Sequence, residues 1–412
     1  MKYWFILFIV PLSLTSFAQP HDLDYFLEHA KQNNPAFEDF QNQALALQID
    51  SQILKASLGP QVNFLSNNSF APIIHGWGYD EIITNKANLS GLIQASRNYL
   101  SKAQIAAQYR SIALQRRSLL DTMALSQQDL SRTITDQYIS AYGDLLAMDY
   151  NREVFELMQK EEEALKKLTQ ANVYKQTDYL TFYVTMQQQE LTWLQAQIQY
   201  NNDFLTLNYL SGLVDTSLER IEKPVLPDSL SNDFYNTVFY NRFITDSLRL
   251  VNEKELVNYE YKPRIGAYTD AGYNSSLQNT PYKNFGVSAG VSVTIPLYDG
   301  RQKQMKRARL DIQERTRQSN REFYVNQHHM QLLQLKQQLR SIDLIVSRIN
   351  KQIAYAHTLI VANGKLLQTG DITMKDYVTA INNYLQAQNL LTQNNINRLK
   401  ILNQVNYWNI KP

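Results

Sequence analysis

The sequence predicts a mainly α-helical chain with a small β part, in which long antiparallel coiled-coil helices are joined to a few strands that meet lipid. Three observations carry this expectation. Glycine and proline number only 13 and 11 in 412 residues and cluster in a few places, so the elements between them are long. One helical stretch keeps an apolar seam at alternating steps of three and four residues. Another stretch alternates apolar and small polar residues without error, the period of a strand with two unlike faces.

Lys2 is followed by an apolar run from Tyr3 to Leu14 and then by Ser16-Phe17-Ala18, the pattern of a secretory signal peptide over 1–18 cleaved near Ala18. The run is too short for a membrane-crossing helix, which needs about 20 residues. No later segment is apolar for long enough either, so any further meeting with a bilayer falls to strands. The chain has no cysteine, which excludes disulfides, thiolate metal sites, a cysteine nucleophile and a lipid anchor on an N-terminal cysteine. A net charge of +2 gives no support to nucleic-acid binding.

Internal similarity at a separation of about 200 residues indicates duplication of a whole unit. Asp178-Tyr179-Leu180-Thr181 matches Asp376-Tyr377-Val378-Thr379, and Asn208-Tyr209-Leu210 matches Asn406-Tyr407-Trp408. Upstream, Gly59-Pro60-Gln61-Val62 matches Lys262-Pro263-Arg264-Ile265, with Phe70 and Tyr273 in step. The first repeat is assigned to 19–212 and the second to 234–412, with a linker over 213–233 that holds Pro224 and Pro227. Each repeat reads as a helix, two strands, a long helix, a tip and a returning helix. The strands fall at about 60–70 and 85–94, then 263–274 and 284–296; the tips fall at about 170–178 and 368–376.

The long helix of the second repeat, 299–367, carries Leu332, Leu335, Leu339, Ile342, Val346, Ile349, Ile353, Ala356 and Ile360 in heptad register. At 1.5 Å per residue it would reach on the order of 100 Å, too long for a compact core. The first repeat follows through Ile134, Ala141, Leu145, Met148 and Phe155, with Arg152 on the seam where an apolar residue belongs.

In 285–295, Phe285, Val287, Ala289, Val291, Val293 and Ile295 form the face expected to meet lipid. Gly286, Ser288, Gly290, Ser292 and Thr294 form the face expected to line a water-filled lumen. Partner strands alternate less cleanly, with polar intrusions at Asn63, Asn68 and Asn88. Four strands cannot close a barrel, and an open edge cannot sit in lipid. The chain must then oligomerise, and three copies, giving twelve strands, is the simplest closure.

The run Phe285-Gly-Val-Ser-Ala-Gly-Val-Ser-Val-Thr-Ile-Pro-Leu-Tyr-Asp-Gly300, continuing into Arg301-Gln-Lys-Gln-Met-Lys-Arg-Ala308, resembles the TolC-like outer-membrane efflux proteins. It is similar to their strand, their Pro-Leu-aromatic-Asp-Gly corner (here Pro296, Leu297, Tyr298, Asp299 and Gly300) and their helix start. Thr369-Gly370-Asp371-Ile372-Thr373-Met374-Lys375-Asp376-Tyr377, followed by Tyr384-Leu385-Gln386-Ala387-Gln388, resembles the family's periplasmic tip and returning helix. In the first repeat the corner departs, with Arg97-Asn98-Tyr99 where Pro296-Leu297-Tyr298 stands in the second.

The resemblance implies a homotrimer in the outer membrane, with a twelve-stranded barrel and a periplasmic α-helical tunnel. It implies a passive conduit that docks through a periplasmic adaptor (membrane fusion) protein to an inner-membrane pump. At the tips it points to Asp376 and its counterpart Asp178 as gate residues. Ile372, Leu367 and Thr379 replace a gating arginine, a tyrosine and a second aspartate of that pattern. Closure is then expected to rest on apolar packing around Tyr179, Tyr377 and Leu367. Both aspartates also suit helix N-termini.

No enzymatic motif, cofactor fingerprint or metal-ligand spacing stands out. The pair His328-His329 cannot chelate one ion, since adjacent helical positions diverge by about 100°, and it reads as an exposed polar face. The cluster Arg301, Lys303, Lys306, Arg307 and Arg309 reads equally as a contact for lipid phosphate or as a solvated helix face. The rival reading is a periplasmic coiled-coil adaptor or scaffold, which would show charged faces on its strands.

Overall fold

The computed structural model describes residues 22–72, 74–78, 86–227, 234–277 and 280–409. The expected signal peptide, the end of the linker and parts of the two stretches that join the expected strands of each repeat lie outside them.

Seven helices and five strands are named among the described residues. The first stretch of helix is two elements, α1 (Leu23–Asn33) and α2 (Pro35–Ser57). Asn34 between them is extended at ψ 114°, because the proline ring bars the residue before it from the helical region. Strands β1 (Gln61–Ser66), β2 (Ser69–Ala71) and β3 (Lys86–Tyr99) lead into α3 (Lys102–Gln170) and α4 (Gln176–Leu210). Then come α5 (Val238–Glu260), β4 (Arg264–Ser275), β5 (Phe285–Thr294), α6 (Gln302–Thr369) and α7 (Met374–Trp408). With no proline inside them, α3 and α6 run for 69 and 68 residues, and α4 and α7 for 35 each.

The chain forms two compact units, 1–34 with 127–230 and 332–407, and 35–126 with 231–331 and 408–412. The first is helical and has two apolar cores. One gathers Phe26 of α1, Ile134 and Tyr138 of α3, Phe204 and Leu207 of α4, and Ile221 from the segment after α4. That segment is held by Tyr138, whose hydroxyl donates to the Glu222 carbonyl at 2.8 Å, and by an ion pair between Arg220 and Asp149. The other core gathers Val154, Phe155 and Met158 with Phe182, Ile360, Leu367, Tyr377 and Ile381.

The seam of α6 is buried at Leu332, Leu335, Leu339, Ile349, Ala356 and Ile360. The seam of α3 differs from the expectation at one place. Arg152 points outward, between Asp149 at 4.0 Å and Glu156 at 3.8 Å. The buried position is taken by Asn151, which accepts from Gln189 Nε2 at 3.0 Å and donates to the Ala147 carbonyl at 2.8 Å. A cation there would have needed a buried partner, whereas the amide pair satisfies itself.

In the second unit, His328 is 3% exposed and not part of an open polar face. Its ring lies 4.4 Å from that of Phe234 and 5.7 Å from that of Trp408, and Nε2 is 3.3 Å from the Trp408 carbonyl oxygen. His329, one position on, is exposed. The chain that returns after the second core brings Trp408 over the histidine, a contact no local pattern reveals.

The sheet runs β1-β3-β4-β5, antiparallel throughout, with β2 paired to the start of β3. β1 and β5 are its outer strands, so among the described residues each has one edge without a strand partner.

Candidate functional site

In register, the four strands sort their side chains onto two faces. Phe64, Ile93, Ala271 and Val287 lie in one cross-strand row, and Val62, Ala95, Thr269 and Ala289 in the next. Tyr99, Ile265 and Val293 form a row at the helix end, and Tyr273 meets Phe285 at the loop end with ring centroids 5.3 Å apart. This apolar face is open: Val287 is 84% exposed and Phe64 71%.

The opposite face holds Asn63, Gln94, Asp270 and Ser288 in one row, and Gln61, Ser96, Tyr268 and Gly290 in another. The Ser288 hydroxyl donates to Asp270 at 2.7 Å. Gly290 is needed here, since a Cβ would sit 2.6 Å from the Tyr268 ring that lies across it. Asn63, an intrusion in the one-dimensional pattern, is in place once the strands are paired. Gln94 and Asp270 were missed in the sequence, and aligning the alternation of all four strands would have found them. Leu65 and Leu92 are the apolar exceptions on this face.

Ile295 lies past the end of β5, where Pro296 removes a ladder donor. Leu297 and Tyr298 follow, 93% and 87% exposed. Gly300 and Arg301 turn the chain with φ of 62° and 66°. The Asp299 carboxylate accepts from the Arg301 and Lys303 backbone N–H groups at 2.9 and 2.8 Å, capping α6, and these bonds hold its pKa below the ordinary value. The basic cluster is partly engaged: Lys306 pairs with Glu260 at 2.7 Å, and Lys303 and Lys306 lie against the Tyr261 ring.

At the tips, Asp178 and Asp376 occupy the same place in α4 and α7. Asp178 is half-buried and Asp376 exposed, and each accepts the backbone N–H three residues earlier, from Lys175 and Thr373, at 3.3 Å. Thr373 also donates its hydroxyl to Asp376 at 2.6 Å. Leu367 and Tyr377 are buried inside one chain, at 1% and 0% exposure, with Phe182 beside Tyr377. Tyr179 is half-buried and donates to Glu162 at 2.5 Å, a bond that pushes its pKa up to about 12. The Tyr174 hydroxyl joins the two tips, 2.9 Å from the Leu367 carbonyl and 3.0 Å from that of Ile372. Gly370 makes its turn at φ 79°. Burial also raises the pKa of Glu161, beneath this core.

Among the described residues no helix is long and apolar enough to cross a membrane. A two-faced sheet beside long helices has counterparts among solved structures. The outer membrane protein VceC from Vibrio cholerae superposes with a TM-score of 0.75 at 11% identity, over 94% of this chain and 95% of that one. The fold is that of the TolC-like outer-membrane channels. The Campylobacter jejuni CmeC outer membrane channel (TM-score 0.70, 11% identity, 94% of this chain and 85% of that) has it too. So does the Neisseria gonorrhoeae MtrE outer membrane channel, captured in its open state (0.71, 11%, 94% and 88%). No family model matches the chain, and no curated protein matches it by sequence. The TolC-like architecture is thus kept at identities where few individual side chains are shared.

Proposed function

We propose that this chain is the outer-membrane channel of a tripartite efflux or secretion system, a passive conduit from periplasm to exterior. The observation that carries the reading is the sheet: one apolar face, one polar face and two edges that no described strand covers, set in a TolC-like fold. In lipid a free edge leaves backbone donors and acceptors unpaired, so β1 of one copy would pair with β5 of the next. Three copies of four strands close a twelve-stranded barrel with the Asn63, Gln94, Asp270 and Ser288 row inside it.

Exposed apolar stripes support contact between copies. On α2, Leu45, Ile49 and Ile53 are 58%, 55% and 59% exposed at steps of four, and on α6 Met305 and Ile312 are 59% and 55% exposed. A soluble adaptor or scaffold would instead carry charged side chains on the open sheet face, where Phe64, Val287 and Val291 stand.

In this reading the chain does no covalent chemistry. The inner-membrane pump supplies energy, a periplasmic adaptor joins pump to channel, and the tips at 170–178 and 368–376 form gate and docking surface. Signal-peptide removal near Ala18 would deliver the chain to the periplasm. The paired element lengths, 69 with 68 and 35 with 35, support origin by duplication. The test is fractionation followed by size analysis in uncharged detergent and an unheated gel. A detergent-dependent trimer that conducts in a planar bilayer is expected; a monomer soluble without detergent overturns the proposal.

A further inference from the structure

One charge stands on the apolar face of the sheet. Among the described residues of β1, β3, β4 and β5, every side chain on the Phe64–Val287 face is uncharged except Arg97. It occupies a cross-strand row with Ala267 and Val291, next to the row of Tyr99, Ile265 and Val293 at the helix end. This is the place where the repeat pattern loses its proline: Arg97-Asn98-Tyr99 replaces a match to Pro296-Leu297-Tyr298.

The guanidinium is positioned. Its Nε donates to the Leu58 carbonyl at 3.1 Å, and its Cζ lies 5.4 Å from the centre of the Tyr99 ring, itself 53% exposed. No ion pair engages it among the described residues. Using Nε on the backbone leaves the two terminal nitrogens as a fork, the geometry that matches two oxygens of a phosphate.

A cation on a lipid-facing strand is costly at the bilayer midplane and nearly free at the interface. Arg97 belongs at the level where acyl chains give way to headgroups, with Tyr99 as the amphipathic ring expected there. We propose that Arg97, held by Leu58 and Tyr99, binds the phosphodiester of a phospholipid headgroup in the leaflet on the long-helix side. This inference rests on the membrane reading above and adds a defined lipid site to it.

The test uses the full chain, delipidated in uncharged detergent and titrated with phosphatidylglycerol, with phosphate-free diacylglycerol, and with inorganic phosphate, adducts being counted by native mass spectrometry. Wild type should retain phosphatidylglycerol over diacylglycerol. Arg97→Gln should lower phosphatidylglycerol retention about fivefold, the weight of roughly one cation at a lipid surface. Arg97→Lys, which keeps charge but loses the fork, should fall between the two. Helical circular dichroism equal to wild type shows that each variant folds. Equal retention by wild type and Arg97→Gln overturns the site, and so does full competition by inorganic phosphate, which would make it a general anion site. A chain that stays monomeric and needs no detergent overturns the membrane reading itself, a distinct outcome.

Discussion

Replacing Tyr377 by phenylalanine should stabilise the protein, whereas the same change at Tyr138 should weaken it. Both rings are at 0% exposure in the helical unit. Tyr138 donates to the Glu222 carbonyl at 2.8 Å. The Tyr377 hydroxyl has no hydrogen-bond partner among the described residues and lies in the field of the Glu161 carboxylate. A buried polar group without a partner costs about 1–3 kcal/mol of lost hydration. Tyr377→Phe removes that cost and keeps the ring against Phe182, so a gain of about 1 kcal/mol is expected. Tyr138→Phe strands the Glu222 carbonyl and should lose about 1–3 kcal/mol. The two variants should differ by roughly 2–4 kcal/mol although each deletes one oxygen. Urea unfolding followed by helical circular dichroism in uncharged detergent reads this as midpoints on opposite sides of wild type, with similar slopes. Midpoints lowered equally by both substitutions would refute the assignment of hydrogen bonding at the two sites.

Two further perturbations probe the sheet and the aromatic cluster. Gly290→Ala places a Cβ 2.6 Å from the Tyr268 ring; it should cost about 1–3 kcal/mol by overpacking and lower the yield of assembled protein on an unheated gel. Tyr268→Ala in the same chain should restore that yield, and an unaffected single variant would argue against the ring lying across Gly290. Burial pulls the His328 pKa below its ordinary 6.5. As pH falls the unfolded chain takes the proton first, so stability is complete above about pH 6.5 and declines as pH drops toward the lower folded value. The unfolding midpoint should therefore fall between about pH 7 and 5, and His328→Phe should flatten that slope. An unchanged slope in the variant would place the acid sensitivity elsewhere.

Much of the architecture was legible in the sequence because helix and strand periods are local. The seam from Leu332 to Ile360 and the alternation from Phe285 to Thr294 repeat every few residues, and each names a face without reference to the rest of the chain. Asp299 as a cap of α6 was legible for the same reason, as was the capping role of Asp178 and Asp376. Where side chains depend on partners distant in sequence, local pattern failed. His328 reads as exposed until Trp408 is packed on it, and Arg152 reads as a seam residue until Gln189 selects Asn151 instead. Asn63 looks misplaced until β1 is set against β3, and Arg97 looks unremarkable until pairing with Ala267 puts it on the apolar face. By itself the sequence determined the periods of the long helix α6 and of the strand at Phe285–Thr294, since those follow from spacing along one chain. Register and packing decided which residues share a face, because cross-strand neighbours and buried hydrogen-bond partners are chosen only when segments tens of residues or more apart, 170 in the case of Arg97 and Ala267, come together.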